Sequence, residues 1–200
     1  MILLVDNSKD LSTAQMTPKL IDYLLRRNVR VAVASSIGEV RRCLALYRLR
    51  GAILSGGPLL LTERTQVDHY SQNIMALLHM ERRALPVLGI CFGMQVMAAA
   101  YGGKVDAMKH KKEGVERVMR VGAHSHLMPP RHTMRRMVAS HQDRVVRVPP
   151  GFEATSVSAC GTIIQSMEDT RHRRYGVQFH PEGSKDGHRL LDRFIGLCYT

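Results

Sequence analysis

Apolar and polar residues alternate in blocks over the first half of the chain. Short apolar runs of strand length are followed by longer segments in which apolar residues recur at helical spacing, as Val40, Leu44 and Tyr47 do. The predicted strands are 2–5, 29–34, 51–54 and a run that ends at Cys91, and the predicted helices are 16–27, 36–49, 67–81 and 94–101. This alternation predicts a parallel sheet with helices on both faces, in which sites lie at the carboxyl ends of the strands.

The pattern changes after residue 103. Short alternating stretches separated by Pro, Gly and charged turns predict a largely antiparallel extension that continues the same domain. The predicted strands there are 115–121, 145–148, 154–158, 162–166 and 175–179, followed by a closing helix over 186–197. The sequence therefore predicts an α/β fold with a doubly wound, mostly parallel, flavodoxin-like sheet, and a single domain over residues 1–200.

Composition limits the class of protein. The 200 residues, 44% of them hydrophobic, suffice for one domain with a sizeable core, and no apolar run approaches membrane-spanning length. The first apolar run is too short for a signal peptide, so we expect a cytoplasmic protein. The four cysteines show no C-x-x-C spacing, which argues against a zinc ribbon and against a disulfide framework.

The chain is strongly basic, with a formal net charge of +12, so we expect its surface to attract acidic partners. The basic residues cluster at 109–112, 131–136 and 171–174. Nucleic-acid binding is one interpretation, but aromatic residues make up only 5% of the chain and none interleaves these clusters. Solvated surface or a docking face for an acidic protein explains them better. The scattered histidines complete no recognisable metal-ligand spacing, so no metal is expected.

The first chemical signal is Gly89-Ile90-Cys91-Phe92-Gly93, which lies between a predicted strand and a predicted helix. This is the arrangement of a nucleophile elbow, in which glycines flank a strained turn that has no room for other side chains. Such a turn would expose the Cys91 sulfur at a helix N-terminus, where the helix dipole favours the thiolate. A buried structural cysteine beside two packing glycines is the alternative interpretation.

A cysteine nucleophile needs a base that also serves as an acid, and the base needs an orienting group. His180-Pro181-Glu182 offers both, because Pro181 keeps His180 out of the helical region and lets the His180 and Glu182 side chains share one face. Glu182 would hold one ring nitrogen of His180 while the other faces Cys91. In isolation, a His-Pro-Glu segment is more often an ordinary turn.

Ser55-Gly56-Gly57-Pro58 follows a neighbouring predicted strand. The unobstructed backbone N–H of Gly57, together with that of Phe92 after the nucleophile, could form an oxyanion hole. A plain glycine turn is the alternative for this segment taken alone. It lacks the lysine of a phosphate-binding P-loop, so no ATP site is expected there.

Three segments in one chain are far more specific than any one of them. They resemble the signature blocks of class I (triad-type) glutamine amidotransferases: Gly89-Ile90-Cys91-Phe92-Gly93-Met94-Gln95, Ser55-Gly56-Gly57-Pro58 and Val177-Gln178-Phe179-His180-Pro181-Glu182. A fourth segment, Ser140-His141-Gln142-Asp143, is similar to the Ser-His-x-Asp segment of the glutaminase part of GMP synthetases. The resemblance spans essentially the whole chain and implies the amidotransferase fold.

The resemblance implies hydrolysis of the side-chain amide of L-glutamine through a thioester on Cys91, without a cofactor. His180 would protonate the departing ammonia and then activate water, and Glu182 would orient the imidazole. The amides of Gly57 and Phe92 would hold the oxyanion. The residues implied to contact the glutamine substrate are Gln95, Ser140, His141 and Asp143, the last of them through the α-ammonium group.

No ATP-pyrophosphatase segment occurs in the sequence. The resemblance therefore implies that ammonia passes to a separate partner, for which an ATP-pyrophosphatase subunit making GMP from XMP is the leading expectation. Two alternatives stay open. One is a hydrolase of γ-glutamyl compounds that acts alone with the same nucleophile, and the other is a non-catalytic basic binding or regulatory protein on the same fold.

Overall fold

The computed structural model describes residues 1–8, 16–63, 70–121, 124–129 and 134–200. The strands are β1 (Ile2–Val5), β2 (Val31–Ala34), β3 (Gly51–Leu54), β4 (Val87–Ile90), β5 (Lys104–Arg120), β6 (Arg135–Arg147), β7 (Glu153–Ser158), β8 (Ile164–Asp169) and β9 (Arg174–Val177). The helices are α1 (Met16–Arg26), α2 (Ile37–Leu46), α3 (Ser71–Arg82), α4 (Phe92–Ala100) and α5 (Lys185–Tyr199). The strands form one nine-stranded sheet in the order β2-β1-β3-β4-β9-β8-β7-β5-β6.

Five neighbouring strands, from β2 to β9 in the sheet order, run parallel. Successive residues of β1 face opposite layers: Ile2 packs with α1 and α5, and Leu3 packs with α2, α3 and α4. Burial on both faces explains why these strands are continuous apolar runs. The predicted doubly wound α/β sheet is confirmed.

The remaining four strands extend the sheet antiparallel, as predicted. The stretches predicted at 115–121 and 145–148 are, however, parts of two much longer strands, because β5 has 17 residues and β6 has 13. The pairing of β5 with β6 shifts register between Ala107 and Lys112, which leaves the intervening residues outside the ladder. This basic bulge breaks the alternation of side chains, and the sequence pattern therefore shows shorter strands than the structure has.

The strands with which β9 pairs differ from the prediction. Strand β9 was expected within the antiparallel extension, but it pairs parallel with β4 on one side and antiparallel with β8 on the other. The two signature segments that follow β4 and β9 consequently lie side by side. The chain crosses to β6 immediately afterwards, where the backbone N–H of His180 donates to the Val138 carbonyl oxygen at 2.7 Å.

Two other predictions cover segments that lie partly outside the described residues. Within them α3 begins at Ser71, and the earlier part of the helix predicted over 67–81 lies outside the described residues. Residues 131–133 of the second basic cluster also lie outside them. Within the described ranges, no helix combines the length and the apolar character needed to cross a bilayer.

Candidate active site

Cys91 occupies the turn between β4 and α4. Its backbone has φ 50° and ψ −104°, a combination that residues with a side chain rarely adopt and that costs conformational energy. Hydrogen bonds on both sides hold it there, since its N–H donates to Val177 O at 2.7 Å and its carbonyl oxygen accepts from Gln95 N at 3.1 Å. The turn has the geometry of a nucleophile elbow, with the cysteine at the strained position.

The two glycines that flank the elbow are required by close backbone approach. A Cβ atom on Gly89 would lie 2.6 Å from the Gly93 carbonyl oxygen, and a Cβ on Gly93 would overlap the carbonyl oxygen of Leu54. Real Cβ atoms do not come this close to backbone atoms, so neither position has room for a side chain.

The Cys91 sulfur is more enclosed than the sequence suggested. Only 4% of the residue is exposed, so the expectation of an exposed sulfur was wrong. The sulfur lies 3.6 Å from the Ser140 carbonyl oxygen on β6, and Gln178 Nε2 donates to it at 3.7 Å. The residue still borders a cavity of about 580 Å³, which is therefore the route by which a small molecule reaches it.

His180 and Glu182 lie beside Cys91 at the end of β9. Pro181–Gly183 forms a short 3-10 turn, and within it Glu182 Oε1 lies 2.9 Å from His180 Nδ1. A Cβ atom on Gly56 would lie 2.7 Å from His180 Cε1 and 3.5 Å from the Cβ of Cys91, so imidazole and cysteine flank the same point. Because Glu182 occupies Nδ1, the other ring nitrogen of His180 is the one available to Cys91.

The surroundings of His180 favour its charged form. Burial, the largest single influence, lowers the pKa of an imidazole, but the hydrogen bonds to Cys91 and Glu182 and their negative charges outweigh it. Together they raise the pKa of His180 well above its usual value. An imidazolium beside a cysteine is the arrangement that activates the thiolate in cysteine-dependent enzymes.

All the remaining candidate residues except Phe92 line the same cavity as Cys91 and His180. They are Gly57 on the loop after β3, Gln95 on α4, and Ser140, His141 and Asp143 on β6. Gln95 Nε2 donates to the Asp143 carbonyl oxygen at 2.8 Å, which joins α4 to β6. Phe92 is the first residue of α4, so its backbone N–H belongs to the helical turn that has no intrahelical acceptors.

The sequence model of the family "Glutamine amidotransferase class-I" matches residues 4–196. The chain belongs to this family. The resemblance stated from the sequence motifs is thereby confirmed.

Curated relatives of this amidotransferase chain carry the name GMP synthase (glutamine-hydrolyzing). The protein from Methylococcus capsulatus is 39% identical over 160 residues, covering 74% of this chain and 29% of that protein. The protein from Paraburkholderia phytofirmans is 38% identical over 156 residues, covering 73% of this chain and 28% of that protein. The chain thus spans less than a third of the length of these relatives.

Solved structures share the amidotransferase fold. A putative GMP synthase subunit from Thermoplasma acidophilum superimposes with a TM-score of 0.80 at 22% identity, covering 99% of this chain and 93% of that one. A glutamine amidotransferase from Thermotoga maritima gives a TM-score of 0.72 at 21% identity, covering 98% and 80%. At such identities the likeness concerns the fold.

Sequence reasoning missed three residues around the amidotransferase cavity. Gln178 touches the Cys91 sulfur, and its position two residues before His180 on an extended segment was a usable signal. Thr62 binds Asp143, and Lys111 reaches the cavity from the bulge in β5 while pairing with Glu113. Thr62 carried no sequence signal, and the basic cluster 109–112 did not show that Lys111 reaches the cavity, because both positions depend on how distant segments meet.

The His124-Ser125-His126 segment has a structural partner. Ser125 Oγ and the backbone N–H of His126 both donate to the buried carboxylate of Glu168, the latter at 2.8 Å. This anchors the segment 124–129 to β8. Among the residues that the structure describes, no group of His, Cys, Asp and Glu side chains is arranged to hold a metal ion.

Proposed function

We propose that this amidotransferase chain hydrolyses the side-chain amide of L-glutamine to glutamate and ammonia, with Cys91, His180 and Glu182 as its catalytic residues. The observation that carries the proposal is the strained Cys91 beside an imidazole that Glu182 holds at 2.9 Å, on the border of one cavity. Membership of the glutamine amidotransferase family supports the choice of substrate.

The first half-reaction forms a thioester. The Cys91 thiolate attacks the amide carbon of glutamine, and the negative charge that develops on the amide oxygen is held by the N–H groups of Gly57 and Phe92. His180 then gives its proton to the departing nitrogen, the C–N bond breaks, and ammonia leaves as a neutral molecule. The raised pKa of His180 supports this step, because the imidazole is charged when the substrate arrives.

The second half-reaction releases glutamate. His180, now neutral, takes a proton from water, and the resulting hydroxide attacks the thioester carbon. The same two N–H groups hold the second oxyanion before the C–S bond breaks and the Cys91 thiolate is restored. Glu182 keeps Nδ1 of His180 protonated, so the other ring nitrogen serves as acid in the first half and base in the second.

Substrate recognition falls to Gln95, the backbone of Ser140 and His141, and the carboxylate of Asp143. The Thr62 hydroxyl and N–H donate to the two oxygens of Asp143 at 2.8 and 3.0 Å. Each carboxylate oxygen has a second lone pair, so the α-ammonium of glutamine can bind without displacing Thr62. A buried ammonium needs such a charged partner.

The acceptor of the ammonia belongs to the same proposal. We assign it to a separate ATP-pyrophosphatase subunit in the cytoplasm that makes GMP from XMP. The support is the Ser140-His141-Gln142-Asp143 segment and the name GMP synthase of the curated relatives.

Glutamate release from L-glutamine tests the chemistry. We expect turnover by the wild type and its loss, by about 10⁴-fold or more, in Cys91→Ala, because the nucleophile has no substitute. Cys160→Ser is the matched control, since Cys160 is an exposed thiol. Turnover that survives in Cys91→Ala would overturn the proposed mechanism.

A second arm of the experiment tests the acceptor. Adding an ATP-pyrophosphatase subunit with ATP and XMP should raise glutamate release that depends on Cys91. Release that depends on Cys91 but ignores this partner would redirect the proposal to γ-glutamyl compounds, to be identified by their competition with glutamine. An absence of release in every mixture would favour a non-catalytic binding protein.

A further inference from the structure

The hydroxyl group of Ser55, at the end of β3, sits in a fixed hydrogen-bond setting. Only 2% of the residue is exposed. Ser55 Oγ accepts the backbone N–H of Asn7 at 2.9 Å and donates to the carbonyl oxygen of Gly56 at 2.8 Å. The carboxylate of Asp6 is a second acceptor for this hydroxyl at 3.5 Å, and the much shorter bond to Gly56 is the stronger of the two.

The Gly56 carbonyl and the Gly57 N–H belong to one peptide unit. A trans peptide is planar, and its C=O and N–H point in opposite directions. A hydrogen bond that holds the Gly56 carbonyl therefore also fixes the direction of the Gly57 N–H. Two successive glycines supply no side chain that could help to fix this plane, so its orientation depends on the hydrogen bond together with the close backbone packing of the loop.

Asn7 also contacts the loop after β3 and holds it in place. Its Nδ2 donates to the Ser55 carbonyl oxygen at 2.8 Å, and a Cβ atom on Gly57 would lie 2.5 Å from the Asn7 carbonyl oxygen. The loop after β3 thus rests directly on Asn7, two residues after the end of β1. Any shift of Asn7 would move the Gly56–Gly57 peptide with it.

Asn7 is in turn held by Asn73 on α3. The two side-chain amides bond reciprocally, with Asn73 Nδ2 to Asn7 Oδ1 at 2.7 Å and Asn7 Nδ2 to Asn73 Oδ1 at 3.1 Å. Asn73 is fully buried and Asn7 is 5% exposed. A buried and fully bonded amide pair is rigid, because any rotation would leave polar groups unpaired.

We propose that Ser55 is a positioning residue, held by Asn7 and Asn73, that fixes the Gly56–Gly57 peptide with its N–H directed at the oxyanion. The inference rests on the proposed glutaminase reaction and extends it, since none of the three side chains has to touch the substrate. It assigns the buried polar network between β1, β3 and α3 to transition-state stabilisation.

The test compares Ser55→Ala with Ser156→Ala. Ser156 is a matched control, because its hydroxyl is also buried and hydrogen-bonded, to Ser166 at 2.6 Å on the antiparallel part of the sheet. In Ser55→Ala we expect kcat for glutamine to fall about 10- to 100-fold with KM within about threefold of wild type, since an oxyanion donor acts only in the transition state.

A second readout excludes a loss of folded protein. The γ-aldehyde analogue of glutamine adds to the Cys91 thiol as a hemithioacetal, whose oxygen occupies the oxyanion position. Its inhibition constant should rise in Ser55→Ala in proportion to the loss of kcat, whereas a smaller folded fraction leaves an inhibition constant unchanged. Asn73→Ala tests the same link from its outer end and should change kcat and the inhibition constant in the same direction.

The outcomes separate the inference from the function on which it rests. Absence of wild-type turnover would overturn the proposed function and this inference with it. Normal wild-type turnover with Ser55→Ala and Asn73→Ala indistinguishable from Ser156→Ala would overturn the inference alone. A rise in KM that accounts for the whole loss of kcat/KM would also overturn it, because the network would then bind substrate. If Ser55→Ala does not fold, Asn73→Ala decides the question.

Discussion

Cys91 keeps a backbone conformation that its side chain disfavours, and two different elements prevent it from relaxing. One hydrogen bond ties its N–H to Val177 on β9, and another ties its carbonyl oxygen to Gln95 on α4. Strain of this kind persists only where the surrounding contacts hold the backbone of the residue in the strained conformation. The consequence at the residue scale is that the sulfur is presented to His180 without any movement of the chain.

The pairing of His180 predicts a pH dependence of stability. Burial lowers the pKa of His180, but hydrogen bonds to Cys91 and Glu182 outweigh it and raise the pKa well above 6.5 in the folded protein. A group whose pKa is raised on folding stabilises fully below its unfolded pKa, and the stabilisation is lost as the pH rises through the folded pKa. The free energy of unfolding of wild type relative to His180→Gln should therefore be largest below about pH 6.5 and shrink toward alkaline pH.

Urea unfolding of the two proteins from about pH 5.5 upward measures this difference. Most other titrating groups are common to both proteins and cancel when one curve is subtracted from the other. A difference that grows as the pH rises would show that the imidazole is held neutral, and the acid role proposed for it in the first half-reaction would then be untenable.

At the scale of elements, the site depends on how α5 begins. The Ser184 hydroxyl caps the helix by accepting the Gly187 N–H at 3.1 Å, directly after the turn that carries Glu182. A Cβ atom on Gly187 would overlap the Pro181 carbonyl oxygen, so the helix packs flush against that turn. The position of Glu182 is thus set by a helix that itself contributes no catalytic group.

Gly187 and Gly196 lie on the same helix and provide a matched pair. Gly187→Ala should destabilise the protein by about 1–3 kcal/mol and lower kcat, because relief of the overlap moves the turn that bears Glu182. Gly196→Ala should stabilise it by about 0.5–1 kcal/mol without an effect on kcat, since nothing lies within 4 Å of the added methyl group and alanine favours the helix. Thermal unfolding and glutamine turnover measure both, and equal effects of the two substitutions would contradict the packing argument.

Local segments of the site could be predicted from the sequence, and contacts between distant segments could not. The glycines around Cys91 mark a strained turn, and Pro181 marks an extended His180, because both effects act on the backbone within a few residues. The burial of the sulfur under Ser140 and the binding of Asp143 by Thr62 have no local signature. They arise only when β6 folds across the ends of the parallel strands.

For the whole molecule too, local patterns could be predicted from the sequence and the pairing of distant segments could not. The parallel half of the sheet could be predicted because strands buried on both faces are continuous apolar runs that contrast with the helices between them. The long hairpin of β5 and β6 could not, because one face is solvated and the basic bulge after Ala107 interrupts the alternation that identifies a strand. The order of the strands was also beyond the sequence, including the insertion of β9 beside β4.

The formal net charge of +12 is informative once the structure shows where the basic clusters lie relative to the cavity. The basic cluster 109–112 lies at the bulge beside the cavity, since Lys111 borders the cavity. The cluster 171–174 leads into the amino end of β9, whose carboxyl end carries the site, so it lies at the opposite edge of the sheet. The proposed ammonia acceptor would have to cover the cavity, and of these two clusters 109–112 is the one that borders it.

Charge reversal at the two clusters separates docking from general surface charge. Lys109→Glu should weaken binding of an acidic synthetase subunit by about tenfold at low salt, with a smaller effect at high salt, because attraction between exposed charges is screened. Arg171→Glu changes the net charge equally at the far edge and should leave binding within about twofold of wild type. Binding curves at two salt concentrations measure both, with glutamine turnover of each free variant as the control. Equal weakening by the two substitutions would mean that net charge, and not a docking face beside the cavity, attracts the partner.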